Sequence, residues 1–361
     1  VKDGVVRAYD KENNIISEST DATVVLQQVA NRYSGSRLSL KIVDDITIHL
    51  TNYVPTTNQV AYGVFFSNMD KLEIYGPGTI HLSPQNADQF SSTGGTVFFH
   101  IENVKRVKVS GLGMTDDGNT FPVNYTGLDI EKCEYVEVED FHADFYGLPN
   151  TPQQFQSPLG IDGQWWASGY TVQDVIVRDS IIKSTTQNAV AIGSGNVVME
   201  GNIIVQRQFY GAIAFTGVNR VILNNNIIYG FVNFSAGESP TPFDRIEIVG
   251  NYFGPPISPP SSTNLIFGGV SVAGYQLSGA PAQDILVEGN IFHNSVFSTH
   301  DSYDVVVRDN IFVNDNLTGN NTNAIVFLAP GNTIPAQRTV IAGNKFVALA
   351  NGVAPFITTN G

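Results

Sequence analysis

Residues 177–182 read VRDSII, and this order of residue types returns six more times before the chain ends. Most copies have an apolar residue, two small or polar residues, an Asn or Ser, and then mostly apolar positions. The later copies are MEGNII (199–204), LNNNII (223–228), VGNYF (249–253), VEGNIF (287–292), VRDNIF (307–312) and IAGNKF (341–346). Counted from Ser180, the Asn positions are spaced by 22, 24, 25, 39, 20 and 34 residues. Strand-like phrases at such spacings predict a solenoid, in which longer gaps are inserted loops.

The repeat predicts a single-stranded, right-handed parallel β-helix of about 10–11 coils in the all-β class. One coil cannot bury its apolar face alone, whereas stacked coils share one core. The recurring Asn falls at a bend, where it tolerates the left-handed conformation and its amide can bond to the Asn one coil away. The apolar residue two places later should form an internal ladder. A β-sandwich with Asn-rich turns is the alternative, but a sandwich has no fixed phrase at one period.

Residues 21–33 predict a helix that caps the amino-terminal end of the solenoid. Asp21 is a suitable N-cap residue, Val25, Leu26, Val29 and Ala30 form an apolar stripe, and Gly35 ends the pattern. An open solenoid end exposes apolar surface, and a helix can cover it. We therefore divide the chain into a lead-in and capping helix (1–35) and a parallel β-helix (36–361).

The composition excludes several classes of function. The net charge is −14 and only 14% of residues are charged, which argues against binding nucleic acid or an anionic membrane surface. No apolar run approaches about 20 residues, so we expect no membrane insertion. Cys133 is the single cysteine, so an intrachain disulfide framework is excluded. We find no metal-ligand spacing or phosphate loop and expect no metal and no cofactor.

Aligning the coils on their strands places His100, Asp129 and Asp162 in one column. Phe65 precedes this column, and Ala191 and Ala214 continue it. Apolar neighbours on both sides of each residue should face the core, so the column should face outward. Adjacent coils lie about 4.8 Å apart, and two carboxyl groups at that distance would hold their protons with different affinity. Glycosidases use a protonated acid beside a carboxylate, so we predict Asp129, Asp162 and His100 as catalytic residues.

Several polar and aromatic residues are candidates for substrate binding. Trp165 and Trp166 follow Asp162 directly, and paired indoles would provide a surface on which a sugar can stack. They could equally pack a loop onto the coil or contact another subunit. Asp116 and Asp117 form a carboxylate pair before Gly118, although Asp-Asp-Gly is also ordinary turn chemistry.

The strand 160–162 (GID), followed one coil later by 188–195 (NAVAIGSG), resembles the polygalacturonase family of right-handed β-helix glycosidases. The resemblance implies the fold and a polysaccharide substrate. It does not imply the family's mechanism, because Leu159 stands where the family has a catalytic Asp. Gln187 and Asn188 replace the family's Asp-Asp pair, and we retain them as substrate-binding candidates. Polysaccharide lyases and viral tailspike proteins have similar architecture, and tailspikes often associate as three chains.

Three functions remain open from the sequence. The first is a secreted or virion-surface glycosidase acting on a neutral or weakly charged polysaccharide; a lyase fits less well, because the column offers no Lys or Arg. The second is a non-catalytic tailspike or adhesion module that binds a cell-surface glycan. The third is a structural solenoid in an assembly. We expect a glycan partner, an extracellular location and the possibility of a homotrimer.

Overall fold

Each repeated phrase bends the chain between two strands, and successive bends stack along one axis. The computed structural model describes residues 4–50, 52–53, 60–87, 95–122, 124–147, 156–162, 172–185, 188–193, 195–208, 211–235, 243–257, 268–273, 281–300, 302–314, 324–328, 337–348 and 356–359. Within them the chain forms a parallel β-helix preceded by one helix and a two-stranded antiparallel hairpin. The predicted fold is confirmed.

The elements up to residue 162 include the hairpin, the helix and the first coils. They are β1 (Val6–Tyr9), β2 (Ile15–Ser19), α1 (Ala22–Tyr33), β3 (Arg37–Lys41), β4 (Ile46–Ile48), β5 (Asn52–Tyr53), β6 (Val60–Tyr75), β7 (Thr79–Leu82), β8 (Gly95–Ser110), β9 (Gly113–Thr115), β10 (Tyr125–Glu131), β11 (Tyr135–Glu139), β12 (His142–Asp144) and β13 (Gln156–Ile161).

The remaining elements are all short strands. They are β14 (Asp174–Arg178), β15 (Ile181–Ser184), β16 (Val190–Ile192), β17 (Asn196–Glu200), β18 (Ile203–Gln206), β19 (Gly211–Thr216), β20 (Arg220–Asn224), β21 (Ile227–Tyr229), β22 (Phe231–Ser235), β23 (Arg245–Val249), β24 (Tyr252–Gly254), β25 (Gly269–Ala273), β26 (Ile285–Glu288), β27 (Ile291–His293), β28 (Val296–His300), β29 (Val305–Arg308), β30 (Ile311–Asn314), β31 (Ala324–Leu328), β32 (Val340–Ala342), β33 (Lys345–Ala348) and β34 (Phe356–Thr359).

Three faces of the solenoid follow from the way these strands pair. In a typical coil a first strand, such as β10, pairs in parallel with β8 and β13. A second strand, such as β11, pairs with β8 and β14. The third strands form a separate 11-stranded sheet from β4 to β33, which we call the third sheet. Strands β6 and β8 are 16 residues long and each contributes to both the first and the second faces.

The helix α1 lies where the sequence predicted a cap. Asp21 is its N-cap, and Oδ1 of Asp21 accepts a hydrogen bond of 2.8 Å from N–H of Thr23. Leu26, Val29 and Ala30 are buried in the same apolar core as the first coils. The sequence-based division at residue 35 remains a prediction. Among the described residues, no helix is long and apolar enough to cross a membrane.

The repeated Asn residues form a hydrogen-bonded ladder inside the solenoid. Nδ2 of Asn226 donates to Oδ1 of Asn251 at 2.9 Å, and also to the carbonyl oxygen of Met199 at 2.9 Å. The same pattern joins successive members of the ladder Asn202, Asn226, Asn251, Asn290, Asn310 and Asn344. The ladder amides from Asn202 to Asn310 are therefore paired although they are removed from water, as buried polar groups require.

The left-handed residue of each bend is the one before the ladder Asn. We expected the Asn itself to take this conformation, and that expectation was wrong by one position. At these repeated bends, the residues with positive φ are Asp179, Gly201, Asn225, Gly250, Gly289, Asp309 and Gly343. Each of these is Gly, Asn or Asp, the types that tolerate the left-handed region. The following Asn is thereby free to turn its amide inward.

Apolar ladders fill the core beside the Asn ladder, as predicted. Ile182, Ile204 and Ile228 are in register and fully buried. The ladder continues as stacked rings of Phe253, Phe292 and Phe312, with centroids 4.7–4.8 Å apart. Neighbouring coils thus share one continuous apolar interior, which stabilises each coil through its neighbours.

Replacing Asn226 with Ala should destabilise the protein by about 2–4 kcal/mol, because it leaves buried donors of Asn202 and the Met199 carbonyl unpaired. The measurement is the thermal unfolding midpoint. The matched control is Asn224→Ala, since Asn224 is two residues away and bonds to Glu200 at the surface. Equal shifts for the two variants would contradict the proposed role of the ladder.

Candidate functional site

The first face of the solenoid carries the predicted column over three coils. Phe65 pairs with His100, and His100 pairs with Asp129. The column continues through Gly160 to Ala191 and Ala214. The structure thus brings His100 and Asp129 together as predicted, but Gly160 lies opposite Asp129 where we expected Asp162.

Asp162 was wrongly placed in this column. It lies two residues beyond Gly160, has φ +44° and is fully buried. Its two carboxylate oxygens accept backbone hydrogen bonds of 2.9 Å, Oδ1 from Lys132 and Oδ2 from Val172. Such contacts hold a turn against the coil, so we do not place Asp162 among reacting groups. Its charge still acts on Asp129.

The column faces away from the core, yet its polar members are not open to solvent. His100 is 2% exposed and Asp129 is fully buried. Nδ1 of His100 lies 3.0 Å from Oδ2 of Asp129, within hydrogen-bonding distance. Burial lowers the pKa of His100, which favours the neutral imidazole. A neutral ring can donate its Nδ1 proton to Asp129 and so hold that carboxyl in place.

Two further carboxyl groups lie two residues along the same strands. Glu102 follows His100 on β8, Glu131 follows Asp129 on β10, and these two residues pair in register. A two-residue step keeps side chains on the same face of a strand. Nζ of Lys132 forms an ion pair with Oε1 of Glu102. The first face therefore carries His100, Asp129, Glu102 and Glu131 as a four-residue cluster.

The environments of these carboxyl groups differ. Burial, followed by repulsion from Asp162, raises the pKa of Asp129 to about 8. Burial, followed by repulsion from Asp129, raises the pKa of Glu131 to about 8. Because the two groups interact, they titrate as a pair. Glu102 instead has the Lys132 ammonium as its partner, and its side chain is 21% exposed.

One oxygen of each coupled carboxyl is buried without a donor. Within the described part of the chain, Oδ1 of Asp129 and Oε1 of Glu131 have no hydrogen-bond partner when both groups are ionised. When one of the two groups is protonated, it can donate a hydrogen bond to the other. This hydrogen bond partly offsets the increase in the pKa of Asp129. The atoms of His100, Asp129 and Glu131 that could bind a metal ion also lie within 4.8 Å of one another, a distance that a cation could bridge.

Aromatic rings border the cluster on its amino-terminal side. The rings of Tyr62 and Phe65 stack on His100, with centroid distances of 4.5 and 5.2 Å. Tyr62 is 6% exposed, and Phe65 is half-buried. These rings present large apolar surfaces beside the polar cluster.

The other predicted site residues lie apart from this cluster. Buried Asp116 accepts backbone hydrogen bonds from Gly118, Tyr146 and Gly147 and one from the Tyr125 hydroxyl, so it anchors loops. Exposed Asp117 pairs with His81 at 2.7 Å. Neither joins the cluster, so the predicted Asp116–Asp117 carboxylate pair is not formed.

Three predicted binding residues, Trp165, Trp166 and Gln187, lie outside the described residues. Asn188 is described and is half-buried. Its carbonyl oxygen accepts a hydrogen bond of 2.9 Å from Oγ of Ser157, which joins neighbouring coils. The binding roles of these four residues remain predictions.

Glu102 and Glu131 are the members of the cluster that sequence reasoning missed. Both were detectable from the period of two, because each lies two residues beyond a predicted site residue on a predicted strand. The missed signal was the sequence 100–102 (HIE) opposite 129–131 (DIE).

No protein-family model matches the chain, and no curated protein matches its sequence. A comparison with solved structures finds the crystal structure of a hyperthermoactive exopolygalacturonase from Thermotoga maritima. The match has a TM-score of 0.35 and 11% sequence identity, and it covers 91% of this chain and 84% of that chain. The fold assignment rests on the strand pairings themselves.

Proposed function

We propose that this β-helix acts on a polysaccharide as a glycoside hydrolase, with Glu131 as the acid and Glu102 as the carboxylate. One observation carries the proposal: two carboxyl groups in register on adjacent coils have opposite environments. Glu131 is buried beside another acid, whereas Glu102 is paired with a lysine. Titratable groups that differ in this way are typical acid and base partners.

The proposed reaction uses each group once in each of two steps. Glu131, protonated at neutral pH, donates its proton to the glycosidic oxygen while Glu102 attacks the anomeric carbon. The glycosidic bond breaks and an ester to Glu102 forms. Glu131 then removes a proton from water, the water oxygen attacks the anomeric carbon, and the ester bond to Glu102 breaks. Adjacent coils are about 4.8 Å apart, close to the roughly 5–5.5 Å typical of retaining enzymes.

Asp129 and His100 support the acid and do not themselves contact the substrate in this proposal. Asp129 is fully buried, whereas Glu131 is 6% exposed and is the member of the coupled pair that reaches the surface. Repulsion from Asp129 helps Glu131 to keep its proton. His100 holds Asp129 in position through the 3.0 Å contact. The sequence predicted both residues as catalytic, whereas this proposal gives them the role of positioning residues.

The surroundings favour a neutral or weakly charged glycan. Among the described residues of this cluster, the Lys132 ammonium is already paired with Glu102, so it is not available to neutralise a uronate. A uronate chain should therefore bind here less well than a neutral chain. The partly exposed face of Phe65 could contact a sugar ring. A polymeric substrate of this kind fits an extracellular or virion-surface protein, which we propose as its location.

The test is incubation of the protein with a panel of neutral polysaccharides and with polygalacturonate, followed by a reducing-end assay and NMR of the product anomer. We expect new reducing ends from at least one neutral polysaccharide, with retained configuration and no loss of rate in EDTA. Binding without release would support the alternative of a non-catalytic tailspike or adhesion protein and would overturn the hydrolase. Loss of release in EDTA would assign a cation, not a proton, to the cluster.

A further inference from the structure

Three side chains of types that bind metal ions converge on the first face. His100 offers a ring nitrogen, Asp129 and Glu131 each offer a carboxylate oxygen, and these atoms lie within 4.8 Å of one another. Among the described residues, no other group of three His, Cys, Asp or Glu side chains brings its ligand atoms so close. The residues lie on the paired strands β8 and β10, so the backbone holds the ligands together before an ion arrives. No short ligand spacing marks the group in the sequence, because stacking of coils joins residues that are 29 positions apart.

Two buried oxygen atoms of this group lack a donor, which is a second and independent indication of a ligand. Asp129 is fully buried and Glu131 is 6% exposed. Within the described part of the chain, Oδ1 of Asp129 and Oε1 of Glu131 have no hydrogen-bond partner when both groups are ionised. Buried charges in proteins are normally paired or bound to a metal ion. A divalent cation between the two carboxylates would neutralise both charges and give both oxygens a partner.

The distances and the ligand types favour zinc over calcium. Zn²⁺ binds imidazole nitrogen and carboxylate oxygen at about 2.0–2.2 Å and usually takes four ligands, which then lie roughly 3.4 Å apart. Nδ1 of His100 and Oδ2 of Asp129 are already 3.0 Å apart. No pair in the group has to close by more than roughly 1.4 Å, which a rotation of the long Glu131 side chain can supply. Ca²⁺ needs about six to eight oxygen ligands, more than these side chains provide.

We propose that His100, Asp129 and Glu131 bind a zinc ion, with a water molecule as the fourth ligand. Binding requires only the positions and the burial of these three side chains, whereas its effect on catalysis rests on the proposed function. A Glu131 carboxylate that is bound to Zn²⁺ cannot deliver a proton to the glycosidic oxygen. Zinc at this site should therefore inhibit sugar release.

Glu102 is placed to orient the imidazole for zinc binding. A ring nitrogen binds a metal ion only when it carries no proton, and the other ring nitrogen then keeps its proton. Oε2 of Glu102 lies 3.9 Å from Nε2 of His100, so a carboxylate is close to the Nε2 proton when Nδ1 binds the ion. Carboxylates behind zinc-bound histidines are common, and they fix the tautomer and the orientation of the ring.

Isothermal titration calorimetry of the untagged, metal-free full chain with zinc chloride tests the binding without any substrate. We expect one ion per chain with a dissociation constant in the micromolar range or below, and at least about tenfold weaker binding for Asp129→Asn and for His100→Gln. Calcium chloride and magnesium chloride should bind more weakly than zinc chloride. Circular dichroism shows whether each variant is folded.

His81→Gln is the matched control for the calorimetry. His81 also pairs with a carboxylate, Asp117 at 2.7 Å, but within the described residues this pair has no third ligand. We expect its zinc binding to equal that of the wild type. No zinc binding by the wild type, binding that survives both Asp129→Asn and His100→Gln, loss of binding in His81→Gln, or tighter binding of calcium or magnesium would each overturn the site.

The rate of sugar release separates the inhibition from the proposed function. On a polysaccharide that the metal-free protein cleaves, saturating zinc should lower the rate at least about tenfold, and EDTA should restore it. An unchanged rate with zinc bound at these residues would overturn the inhibition. A metal-free protein that releases no sugar but binds zinc through these three residues would overturn the hydrolase and support the zinc site.

Discussion

Replacing Glu131 by Gln should reduce the rate of sugar release by about 10²–10⁴-fold while leaving the fold intact. Glutamine has almost the same shape, but it cannot deliver a proton to the glycosidic oxygen. Because the glycan should still bind, the loss should appear in kcat with little change in KM. The measurement is the initial rate of reducing-end formation on whichever polysaccharide the wild type cleaves.

Glu137→Gln is the matched control for this prediction. Glu137 is also a glutamate on a strand of the solenoid, but it is ion-paired with Lys108 and Arg178 on the second face. We expect its rate to equal that of the wild type. If Glu131→Gln retained the wild-type rate, or if Glu137→Gln lost as much activity, Glu131 would not be the acid.

The stability of the wild type should fall as pH rises from about 4 to 8, and Asp129→Asn should remove much of this fall. The pKa of Asp129 is about 8 in the folded protein, against 3.8 for an aspartate exposed to water. A raised pKa means that the folded state binds the proton more tightly than the unfolded state. The stabilisation that this proton binding provides is therefore complete below pH 3.8 and is lost as the pH approaches 8. When one proton is involved, the free energy of unfolding changes by about 1.4 kcal/mol for each pH unit.

Asparagine removes the ionisation and keeps almost the same shape. We therefore expect the unfolding free energy of Asp129→Asn to exceed that of the wild type at pH 8 by a few kcal/mol, and the difference to shrink near pH 4. Denaturant unfolding across this pH range gives the comparison. Parallel stability curves for the two proteins would mean that Asp129 is not a buried, protonated group.

The regular part of the fold could be predicted because each coil repeats the same local requirements. A ladder Asn, a preceding residue that tolerates positive φ and an apolar residue two places later recur at each bend, for example at Asn225, Asn226 and Ile228. The same alignment placed Phe65, His100 and Asp129 correctly in one column.

The error at Asp162 has a specific cause. The strand alternation of inward and outward residues has a period of two, so sliding one coil by two residues keeps every apolar residue on the inner face. The pattern therefore cannot distinguish Gly160 from Asp162 as the partner of Asp129. Backbone pairing decides in favour of Gly160, and the positive φ of Asp162 ends the strand there.

Burial of the site could not be predicted from the sequence either. The alternation of apolar and polar residues indicates which side of a sheet a residue faces. It correctly predicted that His100 and Asp129 face away from the core. It does not indicate what covers that side. The raised pKa values of Asp129 and Glu131 depend first on this burial, so the acid of the proposed reaction became visible only with the structure.

The most direct test of the proposed acid is a carbon-13 NMR titration of the side-chain carboxyl groups in the wild type and in Glu131→Gln. The account predicts two carboxyl signals, from Asp129 and Glu131, that titrate near pH 8 in the wild type, and the loss of the Glu131 signal in the variant. A wild-type protein whose carboxyl groups all titrate below about pH 5, as ordinary Asp and Glu do, would contradict it.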